Sequence, residues 1–198
     1  NGVAWHLREQ QPDLDETKLP RFGMVHRIDK NTTGLIVLAK SELAAVKLAK
    51  QFFEHTVKRR YMALVWGNFD EVEGTIEGNI GRHPRFRKLM DVFPDGDHGK
   101  HAITHYTVLE DLKYVSLVEC RLETGRTHQI RVHMAHQHYP LIGDPTYGGR
   151  PRIPRGAEQP LIDGLRGFPR QALHARALGL IHPQQQELCE WEVPLPAD

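Results

Sequence analysis

From Met24 onward, short apolar runs alternate with turn-forming residues along the chain. Residues 24–28 read as a short strand and residues 35–39, a continuous Leu-Ile-Val-Leu-Ala run, as a strand buried on both faces. The segment between them, Asp29 to Gly34, has the Asx, Thr and Gly chemistry of a turn. Ser41 is a fitting N-cap, and Leu43, Val46, Ala49 and Phe53 recur at helical spacing, so 42–54 is predicted to be a helix buried on that face. Residues 60–66 alternate as a strand. Two more strands follow at 102–109 and 114–122, with Tyr114, Ser116, Val118, Cys120 and Leu122 on one face. A short helix is predicted over about 128–137, and an antiparallel pair at about 172–181 and 187–193.

Three stretches resist this periodicity. The first twenty residues are polar with no convincing period and read as a linker. Residues 70–101, rich in Gly, His and basic side chains, read as a long functional loop or ragged hairpin. Gly143-Asp144-Pro145 and Tyr147-Gly148-Gly149 read as turns. Mostly adjacent antiparallel strands with a few helices make the fold class α+β.

The 198 residues suit one domain. No run approaches the length a membrane-spanning helix needs. The two cysteines, Cys120 and Cys189, sit in alternating apolar runs and read as buried thiols of a reducing cytoplasm. Net charge is only +1, but the cations are clustered. Arg82, Arg85, Arg87 and Lys88 surround Phe86 with no acid among them, and Lys58, Arg59 and Arg60 precede Tyr61. A looser group is Arg150, Arg152 and Arg155. Local basic patches on a nearly neutral chain fit a face for a polyanion, although any one of them alone is also what a solvated surface looks like.

Thirteen histidines invite a metal reading, the densest group being His128, His133, His136 and His138. No acid lies among them, no His-Glu-x-x-His or Cys-x-x-Cys run exists, and no metal is expected. No phosphate-cradling loop and no Gly-x-Ser-x-Gly elbow is present. What remains is Asp29, between a strand and a turn and flanked by Arg27 and Lys30. Neighbouring cations favour the charged carboxylate that a nucleophile or base requires. An aspartate that merely starts the turn would look the same. Arg126, just before the 128–137 helix, is the arginine expected to reach toward a carboxylate, and Arg131 is expected to be exposed on the helix body.

His26-Arg27-Ile28-Asp29-Lys30-Asn31-Thr32-Thr33-Gly34-Leu35 resembles the His-Arg-Leu-Asp-x-x-Thr-Ser-Gly-Leu motif of the RluA family of pseudouridine synthases. Ile28 and Thr33 are conservative departures from it. Lys58-Arg59-Arg60-Tyr61 is similar to that family's Lys-x-Tyr strand. Thr124 to His133 is similar to its Thr-Gly-Arg-x-His-Gln-x-Arg-x-His motif, and Ala172-Leu173-His174-Ala175 to its C-terminal motif. Gly148 to Arg152 and the long 70–101 segment look most like the branch that modifies large-subunit ribosomal RNA.

The resemblance implies a mixed, mostly antiparallel bent sheet with flanking helices and a central cleft. It implies an isomerase that converts specific uridines in RNA to pseudouridine without metal or organic cofactor. Asp29 is then the catalytic carboxylate at the sugar, paired with Arg126. Tyr61, also catalytic, stacks on the target base and helps to remove its C5 proton, Ile130 floors that base, and Arg27 fills the gap left by the flipped nucleotide. Lys58, Arg59, Arg85, Arg87 and Lys88 are the expected phosphate contacts. The implied partner is RNA, large-subunit rRNA or an assembling ribosomal subunit, not DNA and not a membrane. Family members begin the catalytic domain with two further strands, often behind a small S4 RNA-binding domain. Residues 1–198 are therefore expected to be a catalytic domain without those parts. A catalytically inert RNA-binding fragment of the same fold and a histidine-based metal hydrolase are the rival readings.

Overall fold

A computed structural model of the chain describes residues 2–10, 19–149 and 153–197. Its centre is a seven-stranded sheet. The strands are β1 (Thr33–Gly34), β2 (Lys58–Trp66), β3 (Glu73–Glu77), β6 (Ile103–Asp111), β7 (Val115–Leu122), β8 (Leu173–Ile181) and β9 (Leu188–Glu192), with a separate two-stranded ribbon of β4 (Asn79–Arg82) and β5 (Met90–Phe93). The order is β1-β8-β2-β7-β6-β3, with β9 also paired to β8. Every pairing is antiparallel except the short parallel one of β1 with β8. Helices α1 (Gly2–Gln10), α2 (Glu42–Phe53), α3 (Gln129–His136) and α4 (Gln159–Gly167), with a short 3-10 turn at Pro20–Gly23, complete the described elements.

The alternation of β2 sorts its side chains as the sequence predicts. Tyr61, Ala63 and Val65 join Val118 and Cys120 of β7 in one core, which α3 closes with Ile130 and Met134. The 102–109, 114–122, 172–181 and 187–193 strands all form, and the ragged hairpin of 70–101 resolves into β3 and the β4–β5 ribbon. Cys120 is buried, whereas Cys189 is only partly so.

Several expectations are corrected. Residues 24–28 form no strand beyond one bridge from Met24 to Leu38. The 35–39 run forms no strand either beyond the Leu38 side of that bridge, and it is not buried on both faces, because Ile36 is exposed. The first residues carry helix α1 where a linker was expected, and α4 has no counterpart in the sequence reading. Helix α2 forms where predicted, and Ser41 Oγ accepts from the Ala44 N–H at 3.2 Å, a cap worth about 1 kcal/mol. Its buried face, however, is Ala44, Ala45, Leu48 and Phe52. Leu43, Val46, Ala49 and Phe53 are exposed. This helix is apolar on nearly every side, so spacing alone could not tell which stripe meets the sheet.

Two histidines, the half-buried His26 and the fully buried His133, give the fold an acid limit. Burial, reinforced by Arg59, pushes His26 down to about 4, and its Nε2 accepts the Val37 N–H at 2.9 Å, which only a neutral ring can do. Burial likewise pushes His133 down to about 4. Unfolded histidine titrates near 6.5, so between pH 6.5 and 4 the unfolded chain holds about two more protons from these groups. Stability is therefore full above pH 6.5 and falls as the pH drops toward 4, by on the order of 2–3 kcal/mol per histidine. Urea midpoints measured from pH 7 to 4.5 are expected to fall steadily, and a flat midpoint over that range would contradict the neutral state of both rings.

Candidate active site

Asp29 lies in an irregular segment fixed almost entirely from outside. The Thr32 N–H closes a turn onto the Asp29 carbonyl at 3.0 Å. The buried Gln171 side chain donates to the Lys30 carbonyl at 2.7 Å and to Thr32 Oγ1 at 3.1 Å. Thr33 Oγ1 bonds His174 Nδ1 at 2.9 Å, and the Leu35 N–H reaches the Ala175 carbonyl at 2.9 Å. Gly34 between them has φ +105°, and a Cβ there would lie 2.2 Å from the Ala175 oxygen, so only glycine lets the turn dock on β8.

The Asp29 carboxylate faces a cleft of about 480 Å³ between this turn, the C-terminus of α2 and the 125–130 segment. Arg27, Arg59, Tyr61, Arg126 and Ile130 line the same cleft. Six of the residues singled out in the sequence thus share one cavity. Lys58 does not. It is exposed and pairs with Glu190 at 3.0 Å in a neighbouring groove. Arg85, Arg87 and Lys88 stand exposed on the β4–β5 connection, away from the cleft lining. Arg150 and Arg152 lie outside the described residues.

The arginine beside Asp29 is not the one expected. The Arg126 N–H is tied to Gln129 Oε1 at 2.9 Å and its Nε to the His101 carbonyl at 2.8 Å, which turns the side chain toward the start of β6. Arg131 takes the place instead. It is 4% exposed, and its Nη1 donates to Asp29 Oδ2 at 3.2 Å. Its Nε and Nη2 form a two-pronged pair with Asp144 at 2.7 and 2.9 Å. Asp144 Oδ1 also accepts the Thr146 and Tyr147 backbone N–H groups.

The charges in this cluster support one another. Burial pulls Arg131 down, but the bonds and charge of Asp144 and then Asp29 outweigh it, and the guanidinium ends above its ordinary value. Burial pushes Asp144 up, yet Arg131 and the two backbone donors bring it below the carboxylate range. A buried helix-body arginine requires carboxylate partners. No local signal in the sequence marks it, because the burial of every residue of α3 from Gln129 to Met134 arises only in the fold.

Two further residues extend the cluster. The Tyr147 ring lies 5.1 Å beneath the Arg131 guanidinium. Its hydroxyl accepts the Met90 N–H of β5 at 3.0 Å and shares a 2.8 Å hydrogen bond with His128 Nδ1. Tyr61 is nearly buried. Burial pushes its phenol up, Arg59 offsets part of this, and Asp29 adds to the rise. A phenol held that way is neutral at pH 7, better suited to packing against a base than to taking a proton from it.

A description of RNA pseudouridylate synthases matches residues 3–136. The chain belongs to the RNA pseudouridylate synthase family. Ribosomal large subunit pseudouridine synthase D of Pseudomonas aeruginosa is 50% identical over all 198 residues, which cover 59% of that relative. The protein of the same name from Escherichia coli K12 is 48% identical over 180 residues, 91% of this chain and 54% of the relative. The chain therefore spans somewhat over half the length of these relatives. Among solved structures, human RNA pseudouridylate synthase domain containing 1 superposes with a TM-score of 0.71 at 30% identity, covering 97% of this chain and 73% of that one. Human RNA pseudouridylate synthase domain containing 4 gives 0.69 at 26% identity, over 88% and 71%. The family and the mostly antiparallel sheet agree with the fold the motifs implied.

Proposed function

We propose that this chain carries the active site of an isomerase that converts uridine to pseudouridine in large-subunit ribosomal RNA. The observation that carries the reading is the Asp29 carboxylate, held by Arg131 at the wall of a cleft that Tyr61 and Ile130 also line. The names of the relatives supply the substrate class. In the reaction the N1–C1′ bond breaks, the uracil turns over, and C5 bonds to C1′. C5 gives up its proton and N1 gains one, so no redox partner or added group is required. Asp29 acts at the sugar. Arg131 orients that carboxylate, and its two stronger bonds to Asp144 keep the guanidinium fixed while Asp29 reacts. Tyr61 and Ile130 pack on the displaced base.

Arg27 is exposed beside Asp29 and suits the space a flipped nucleotide vacates. Arg126 and Arg59 belong on this reading to the rim of the cleft, where they attract phosphate. Arg85, Arg87 and Lys88 do the same on the β4–β5 connection. On this reading the partner is RNA and not DNA, and the place of action is the cytoplasm. No described helix is long and apolar enough to cross a membrane. The test is direct. Unmodified large-subunit rRNA is incubated with the chain, and pseudouridine is mapped before and after, with a DNA of the same sequence as control. New pseudouridine at discrete positions in the RNA alone is expected; RNA binding without any conversion would leave an inert binder of this fold.

A further inference from the structure

Helix α2 ends in two adjacent phenylalanines with opposite fates. Phe52 is committed to the fold. It stacks on His26 with ring centroids 4.5 Å apart and planes 12° from parallel, and Arg59 lies 6.0 Å from its ring centre. Phe53 is 84% exposed, more than any other large apolar side chain described, and yet it lines the Asp29 cleft. The helix end that carries it is firmly built. The Thr56 N–H reaches back to the Gln51 carbonyl at 3.1 Å, the Glu54 N–H bonds the Lys50 carbonyl, and His55 takes the left-handed conformation at φ 59° that closes such a cap. The ring is thus displayed at the cleft mouth by a fixed piece of backbone.

The surroundings of Phe53 are cationic. Arg59 and Arg126 line the cleft with it, and the buried Arg59 Nε has no hydrogen-bond partner among the described residues. Their field is felt at His55, which burial and then the charges of Arg126 and Arg59 hold below its ordinary value. An exposed flat ring that shares a cleft with two arginines suits a nucleotide, whose base offers a face for stacking and whose phosphate offers the charge.

We propose that Phe53 is a stacking platform for an unpaired nucleotide next to the target uridine, with Arg59 and Arg126 receiving its phosphates. The inference rests on the reading of the cleft as a uridine-isomerising site. It adds that the RNA entering there is single-stranded on at least one side of the target.

The test compares Phe53→Ala, Phe53→Leu and Phe53→Trp in the 198-residue chain. Binding of a fluorescent oligouridylate is measured, with pseudouridine yield on large-subunit rRNA alongside. Loss of one base stack weakens binding by about tenfold. Phe53→Ala and Phe53→Leu are expected to show that loss, and Phe53→Trp to bind within about twofold of the parent, since only a flat ring stacks. The ring is exposed, so all three variants should unfold at the parent's urea midpoint. Unchanged binding by Phe53→Ala, or full rescue by Phe53→Leu, would overturn the platform. So would a dimer of the parent chain that Phe53→Ala dissolves, because Phe53, Leu43 and Val46 would then form a self-association face. Absent pseudouridine with binding that still follows the ring would overturn the isomerase reading and support the platform. Normal yield with ring-independent binding would do the reverse.

Discussion

Asp29→Asn is expected to leave the chain folded and to abolish pseudouridine formation. The substitution keeps the shape of the side chain and the backbone bond from the Thr32 N–H. The Arg131 guanidinium retains both of its bonds to Asp144, so no buried charge is stranded. The cost in stability is then about 1 kcal/mol or less. Chemistry is another matter. Among the described residues no second carboxylate faces the cleft at this point: Asp144 is fully buried behind Arg131 and occupied by four hydrogen bonds. Conversion should fall at least a thousandfold, about what loss of a reacting group costs. The measurement is nucleoside analysis of rRNA after incubation with parent and variant at equal RNA occupancy. A variant within tenfold of the parent would mean that Asp29 only initiates its turn.

Substitution of Arg131 should be more damaging to the protein as a whole. Arg131→Met leaves Asp144 buried with neither prong of its partner and is expected to destabilise the fold by about 3–5 kcal/mol. Arg131→Lys keeps a charge but cannot make three directed bonds to two carboxylates, so activity should drop about a hundredfold even where the chain still folds. Arg126→Lys, by contrast, gives up one bond to the His101 carbonyl near the surface. It should stay within about 1 kcal/mol of the parent in stability and within about tenfold in activity. Urea unfolding and single-turnover conversion of the three variants separate the effects. If Arg126→Lys were the more damaging lysine variant, the resting geometry around Asp29 would not be the one in which the reaction occurs.

The contrast between these two arginines also marks how far the sequence could be read. The motif around Asp29 is local, and so are the strands that flank it in β2, β6 and β7. Their alternation survives in the structure because each strand has one face on a common core. Which arginine reaches Asp29 is not local. It depends on a turn at Gly143–Pro145 that brings Asp144 beneath α3, and on Gln129, whose side chain ties Arg126 toward β6. Asp144 and Tyr147 looked like ordinary turn residues for the same reason. The α2 error is different in kind. Phe52 and Phe53 are interchangeable by hydropathy, and the choice between them is made by His26 and Arg59, which approach from outside the helix. Helix α1 went unread because it carries no sustained apolar stripe. Helix α4 does carry one, in Leu161, Ile162 and Leu165, but Pro160, Gly164 and Gly167 give its sequence the make-up of a loop.

The short parallel pairing of β1 with β8 has a consequence in time. Thr33 and Lys30 are held by His174 and Gln171, each 141 residues further along the chain. Closing a loop of that length costs about 2 kcal/mol more than closing one of ten residues, whereas β6–β7 and β8–β9 are neighbours that pair at once. The Asp29 turn should therefore be among the last parts to gain protection when refolding is followed by pulsed hydrogen exchange. On the ribosome the delay is longer still. At 5–20 residues per second, the turn and the strand that fixes it are synthesised on the order of ten seconds apart. Through that interval the nascent chain already contains Asp29 but has no strand to hold it, and the site comes into being only once β8 has been made.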